Sequence, residues 1–191
     1  MVSLPLRFTA LLGIVALTAC EVVSPRLVPV SLYLTDAPSQ DIESARVWIS
    51  SAYLVPAGED GEFYTIFATA EGQEPQEYDL LTLQNGVTAL LGTETIPEGE
   101  YAQLRLVVDQ AEINLGGDAT FADGSSSKML FVPSGMETGI KVEFGGPITI
   151  SGATSLTVDF DVEQNFTFLG PPGRPMDVLF TPLLVGSVTE G

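Results

Sequence analysis

Histidine is absent from this chain, and cysteine occurs once in 191 residues. Without histidine there can be no Ser-His-Asp triad, no Cys-His pair and no His-ligated zinc site. A single cysteine closes no disulfide within the chain, so the fold must rest on its core. Bases are also scarce: 7 Lys and Arg stand against 25 Asp and Glu, for a net charge of −18. Charged residues total 17%, below the usual quarter, so the chain is poor in bases more than rich in acids. Such a surface repels phosphate backbones, which excludes nucleic acid as a partner. It also disfavours flat adhesion to anionic lipid. Divalent cations and neutral ligands such as glycans suit it better. Trp48 is the single tryptophan, so no aromatic cluster marks a sugar cleft. No glycine loop of the Walker or dinucleotide type is present.

What is present begins at the N-terminus. Arg7 precedes a run from Phe8 to Leu17 that is almost wholly apolar, followed by Thr18 and Ala19. That order is a secretory signal. The run is too short for a membrane span, which needs about 20 apolar residues. Leu17-Thr18-Ala19-Cys20 resembles the bacterial lipobox, which implies diacylglycerol on the Cys20 thiol and cleavage just before it. Residues 1–19 are therefore expected to be a signal peptide and Cys20 a lipid anchor rather than a nucleophile. Several acyl chains on one residue make release slow, at about 0.8 kcal/mol per buried methylene. Glu21 resembles the residue found after the cysteine in lipoproteins sorted to the outer membrane. Residues 20–27 form the lipidated cysteine and a short tether, and residues 28–191 a single domain.

From Val28 onward the dominant period is two. Val28, Val30, Leu32 and Leu34 alternate with Pro29, Ser31, Tyr33 and Thr35. Val47, Ile49, Tyr53 and Val55 are expected to share a face. Leu104, Leu106 and Val108 oppose Gln103, Arg105 and Asp109; Ile140, Val142 and Phe144 oppose Lys141 and Glu143. Leu156, Val158, Phe160 and Val162 oppose Thr157, Asp159, Asp161 and Glu163. This is the pattern of half-buried antiparallel strands. Turn signals such as Pro97-Glu98-Gly99, Gly116-Gly117 and Asp123-Gly124 separate the runs. About ten strands are expected. Only Leu80–Leu91 could hold a helical turn, cut by Asn85-Gly86. The predicted fold class is all-β: a two-sheet antiparallel β-sandwich.

Carboxylates carry the remaining chemistry. Read as one strand, residues 157–163 line three acids on one face, about 7 Å apart. That is a solvent face or an oxygen-rich Ca²⁺ site completed by a loop acid such as Asp36, Asp118 or Asp123. Asp36, Asp159 and Asp161 are the candidate metal ligands and Ca²⁺ the candidate cofactor. Alternatively, Arg105 and Lys141 are ion-pair candidates for Asp159 or Asp161. Ser125-Ser126-Ser127-Lys128 matches S-x-x-K, but it lies in a stretch that reads as a solvated loop. Asn165-Phe166-Thr167 matches a glycosylation acceptor by chance.

Several stretches taken in order carry a wider likeness: VSLYLTDAP (30–38), YDLLTLQNGVTALLG (78–92), IPEGEYAQLRLVVD (96–109), FVPSGMETGIKVEF (131–144), LTVDFDVEQNF (156–166) and LFTPLLVG (179–186). They resemble the bacterial "domain of unknown function 4382" family, common in lipid-anchored envelope proteins. The resemblance implies a prealbumin-like or immunoglobulin-like sandwich and no established activity, so no catalytic residue is carried over. The function expected is a non-enzymatic binding or structural module of the bacterial envelope, held to the membrane by its lipid anchor, with an envelope protein or glycan as partner. A Ca²⁺-binding module and a carboxylate-based hydrolase are the alternatives.

Overall fold

The computed structural model describes residues 25–36, 42–58, 62–132, 138–171 and 174–191. Cys20 and residues 1–19, expected to be a signal peptide, lie outside them. The described chain forms thirteen strands: β1 (Leu27–Thr35), β2 (Ile42–Pro56), β3 (Tyr64–Ala68), β4 (Gln76–Asp79), β5 (Ala89–Pro97), β6 (Gly99–Leu115), β7 (Ser127–Leu130), β8 (Ile140–Glu143), β9 (Ile148–Ile150), β10 (Thr154–Asp159), β11 (Phe166–Leu169), β12 (Asp177–Phe180) and β13 (Leu184–Glu190). A 3-10 turn occupies Leu80–Leu83, and a single helical turn, α1, occupies Val162–Asn165. The 3-10 turn ends where Asn85 and Gly86 take positive φ angles of 60° and 83°, as the Asn-Gly pair predicts.

The strands are all-β as expected, but their assembly differs from a two-sheet antiparallel sandwich. Eleven of them belong to one mixed sheet with the path β3-β2-β6-β8-β13-β10-β1-β5, while β4, β7 and β9 pair onto β2 or β6. β11 and β12 form a separate two-stranded sheet. Two pairings are parallel, β1 with β10 and β13 with β8. Alternation along a strand reports which face is buried and is silent about the direction of the neighbour, so it could not distinguish these arrangements. The sheet curls until its two ends meet. Gly92 on β5 lies so close to β3 that a Cβ there would stand 2.7 Å from the Ile66 carbonyl oxygen and 3.2 Å from the Phe67 Cβ. Only a glycine admits that approach, and it makes the sheet nearly a barrel.

The interior follows the predicted periodicity. Val28, Val30, Leu32 and Leu34 are buried, as are Leu156, Val158, Phe160 and Val162. Long strands change phase at bulges. On β2, Val47 and Ile49 point inward, and after register shifts around Ile49 the buried residues become Ala52 and Leu54. Tyr53 and Val55 are therefore displaced to the other face, against expectation. β6 makes the same adjustment, burying Leu104, Leu106 and Val108 and then Ala111, Ile113 and Leu115. One extra residue in a strand moves every later side chain across the sheet.

The barrel has two unlike ends. At the entry end β1 begins, β5 turns into β6 through Pro97-Glu98-Gly99, and β9 pairs with the first residues of β6. At the far end stand Thr35, Asp159 and the start of β13, which share one register level. The β11–β12 hairpin lies across this far end. Its foot is held by the Thr181 N–H donating to the Asn165 carbonyl at 2.9 Å. Its tip reaches the loop after β6, where Ala122 N–H donates to the Pro175 carbonyl at 2.8 Å. Phe166, Val178 and Phe180 turn inward and join Phe121 and Phe160 in the core.

Candidate functional site

The far end gathers the polar groups that sequence reasoning singled out. β1 stops at Thr35, whose hydroxyl donates to the carbonyls of Leu83 and Val87 at 3.2 and 3.0 Å. Asp36 follows, with only 4% of its surface exposed. Its N–H donates to the Leu83 carbonyl at 3.2 Å. One carboxylate oxygen accepts the Val162 N–H at 2.9 Å, and the other accepts the Gln84 amide at 3.4 Å. Asp36 thus joins β1, the loop after the 3-10 turn and α1. Burial pushes its pKa up to about 6; the hydrogen bonds from Val162 and Gln84 oppose that shift, and the charges of Asp159 and Asp161 add to it.

Residues 157–163 are not one strand. β10 ends at Asp159, whose carboxylate accepts the Asp161 N–H at 3.1 Å. Asp161 takes a left-handed conformation, φ 31°, and caps α1 by accepting the Gln164 N–H at 3.2 Å; the Gln164 side chain donates to its other oxygen. The three acids therefore do not line one face. The pattern Asp161-Val-Glu-Gln164 was the available signal: an acceptor at the N-cap with Gln three residues on marks a helix start. Asp159 and Asp161 do come within electrostatic reach of Asp36. Among the described residues, no group of three or more Asp, Glu, Cys or His side chains is arranged to hold a metal ion.

Asn165 carries the most contacts at this end and was read from sequence only as a chance acceptor. It is fully buried. Its amide donates to the carbonyls of Phe160, Asp161 and Leu183, and its oxygen accepts the Leu183 N–H. A side chain so enclosed presents no surface for modification.

Arg105 and Lys141 stand opposite each other on β6 and β8. Lys141 pairs with Glu143 at 2.9 Å. Arg105 donates to Gln103 at 2.9 Å and to the Thr138 carbonyl at 2.9 Å. These partners replace Asp159 and Asp161 because β13 separates β8 from β10. In the S-x-x-K stretch, Ser125 and Lys128 both converge on Asp123. The serine hydroxyl donates to it at 2.7 Å and the lysine approaches it at 3.3 Å. Hydrogen bonds from Ser125 hold the Asp123 pKa down to about 2, with Lys128 assisting. Partial desolvation works to lower the Lys128 pKa, but the bonds and charges of Asp123 and Asp177 raise it overall. A general base needs the opposite shift.

Exposed large apolar side chains are uneven in placement. Leu27 and Phe63 lie near the entry end. Val87, Leu90, Leu183 and Val185 lie at the far end, Phe168, Leu169, Met176 and Leu179 on the hairpin, Val188 midway along β13, and Met129 and Phe131 at β7 beside the second half of β6.

The family profile of the domain of unknown function DUF4382 matches residues 28–173. The chain belongs to the DUF4382 family. No curated protein matches it. Among solved structures, MbnP from Methylosinus trichosporium is similar over 81% of this chain and 84% of its own, at 14% identity and a TM-score of 0.34. No helix among the described residues is long and apolar enough to cross a membrane.

Proposed function

We propose that this DUF4382 protein is a non-enzymatic module, anchored to the bacterial outer membrane by lipid on Cys20, that presents its far end to an envelope partner. One observation carries the reading: most of the exposed large apolar side chains, Val87, Leu90, Leu183 and Val185 with those of the hairpin, lie at the end opposite the chain entry. Pro25 lies five residue steps beyond Cys20, a reach of about 18 Å when extended. The nine residues of β1 then carry the chain about 30 Å onward. The entry end would sit against the lipid and the far end would face away from it. The buried carboxylate supports the same reading. A raised pKa beside ionised neighbours is the pattern of a general acid, but both Asp36 oxygens accept hydrogen bonds that hold the fold. Labelled palmitate should appear on the full chain and not on Cys20→Ser, and a panel of glycoside and ester substrates should stay at background. Unlabelled protein free in the medium, or robust turnover, would overturn the reading.

A second reading has its own observation: Asp159 and Asp161 both lie close enough for their charges to bear on Asp36. A Ca²⁺ ion among them would relieve that repulsion. If the reading holds, millimolar Ca²⁺ raises the melting temperature of the full chain and Asp161→Asn removes the rise. An unchanged melting temperature rejects it.

A further inference from the structure

We infer that Leu27 and Phe63, on the entry rim of the barrel, rest in the headgroup boundary of the zwitterionic lipid leaflet that holds the Cys20 acyl chains; the inference rests on the anchored-module reading above and names what its entry end touches. Leu27 is 59% exposed and Phe63 63%. Both stand at one rim. Leu27 opens β1 opposite Pro97 on β5. Phe63 precedes β3, which lies against β5 where Gly92 meets Ile66. From that crossing Phe63 is three residues toward the rim and Pro97 is five. The Phe63 ring leans on Tyr53, with centres 5.1 Å apart, and the Tyr53 hydroxyl donates to the Thr138 carbonyl at 2.7 Å. An exposed ring is thus braced from beneath.

Two exposed apolar side chains are ordinary by themselves; the chain that precedes them selects the occupant. Leu27 lies seven residue steps beyond Cys20, a reach of at most about 25 Å. With Cys20 lipidated, this rim is the part of the barrel that cannot leave the membrane surface. So short a tether holds the rim at a high effective concentration against the lipid, and a contact too weak to bind alone becomes populated. Charge decides which lipid. Arg26 is paired with Glu98 at 3.3 Å, and Glu62, Glu94 and Glu100 are exposed nearby. The rim is acidic, so phosphatidylglycerol repels it and zwitterionic phosphatidylethanolamine does not. The far end carries more exposed apolar surface, but the nine residues of β1, about 30 Å, hold it off the leaflet.

The test uses the lipid-bearing protein in phosphatidylethanolamine-phosphatidylcholine vesicles. Trp48 is the single tryptophan. Trp48→Phe with Phe63→Trp therefore puts one fluorophore on the rim, and Trp48→Phe with Leu179→Trp puts one at the far end. A melting temperature close to the parent's shows that each variant stays folded. In vesicles the rim fluorophore should shift to the blue and lose intensity to lipids brominated near the headgroup; the far-end one should do neither. Leu27→Asp should reduce the rim quenching without releasing the protein, since the acyl chains still hold it. Added phosphatidylglycerol should reduce it as well, and salt should restore it. Equal quenching at both positions, none at position 63, or stronger quenching with phosphatidylglycerol overturns the inference. So does a blue shift of the Cys20→Ser form that grows with protein concentration in the absence of lipid, which would assign the rim to a second copy. Protein that takes up palmitate but shows no quenching at position 63 fails this inference alone; protein that takes up no palmitate fails the reading beneath it as well.

Discussion

The two ends of the barrel are closed by different means. At the entry end, one short turn closes on itself and is tied to the start of β1. Tyr101 donates its hydroxyl to the carbonyl of Pro97, four residues away, at 2.6 Å. The Glu98 N–H donates to the Arg26 carbonyl at 2.7 Å, and the two side chains pair at 3.3 Å. At the far end, closure is remote in sequence. Asp36 reaches Val162, 126 residues on, and Asn165 reaches Leu183 across the whole hairpin. The entry end is a tight turn held by its own residues and by Arg26 at the start of β1. The far end is a separate lid fastened by a few buried polar side chains. A few contacts of high individual worth make an end that one substitution can open, whereas many small local ones do not.

Asn165→Ala should open that difference widest. It removes the side-chain bonds to the Phe160, Asp161 and Leu183 carbonyls and to the Leu183 N–H at once, leaving the Phe160 carbonyl and the Leu183 N–H short of a partner, while the Asp161 carbonyl keeps the Gln164 and Asn165 N–H groups. Each such group costs about 1–3 kcal/mol, and relaxation of the hairpin recovers part of the sum. A loss of about 3–5 kcal/mol in denaturant unfolding is expected. Amides of β11 and β12 should exchange faster with solvent while those of β2 and β6 keep their protection. Uniform loss of protection across the barrel would mean that lid and barrel unfold as one unit, and the contrast between the ends would fail.

The same division governs what the sequence made legible. Strand faces along β1, β8 and β10 follow from alternation, because burial of one face fixes a period of two. The Tyr101–Pro97 closure of the entry turn follows from Pro-Glu-Gly-Glu-Tyr, since both partners lie within five residues, whereas the tie from Glu98 to Arg26 does not. The far end does not. Nothing in LTDAP says that Asp36 will meet Val162, because that contact exists only after β1 and β10 pair in parallel. Asp159 and Asp161 were found as candidates but placed on a continuous strand, because the hydrophobic alternation runs on through Phe160 and Val162. Those two residues are buried on both readings; the helical cap between them changes the backbone and not the burial. Asn165 escaped because one buried amide leaves no periodic trace.

Asp36 sharpens the comparison through pH. Its pKa is about 6 in the folded protein against an ordinary 3.8, so the folded state holds the proton more tightly than the unfolded chain. Its protonated contribution is full below about pH 4 and is lost as pH rises through about 6. At 1.36 kcal/mol per unit, that is about 2–3 kcal/mol. Lowering the pH from 7 to 4.5 should raise the melting temperature by roughly 4–10 °C for a domain of this size. Asp123, with its pKa held near 2, works in the other direction, but only below the ordinary carboxylate range, so the window from 4 to 6 belongs to Asp36. Asp36→Asn should remove the pH slope and match the acid-state stability at pH 7, since an amide oxygen still accepts the Val162 N–H. Asp36→Ala should remove the slope and also cost about 1–3 kcal/mol for the orphaned N–H. A full slope surviving in Asp36→Asn would place the titrating group elsewhere.

Tyr101→Phe is the smallest of these perturbations and tests the entry end alone. The ring is buried and meets Tyr64 edge-on at 5.8 Å, and phenylalanine keeps that packing. Burial, with the neighbouring Tyr64, holds the phenol above its ordinary pKa, so the hydroxyl is a donor across the accessible range and its loss should show no pH dependence. What disappears is one hydrogen bond to the Pro97 carbonyl, for about 1 kcal/mol. Glu98 and Arg26 still hold the turn, so β5 and β6 should keep their protection against exchange. A loss as large as that of Asn165→Ala would mean that the entry end also hangs on a single fastening, and local closure could no longer explain why the two ends differ.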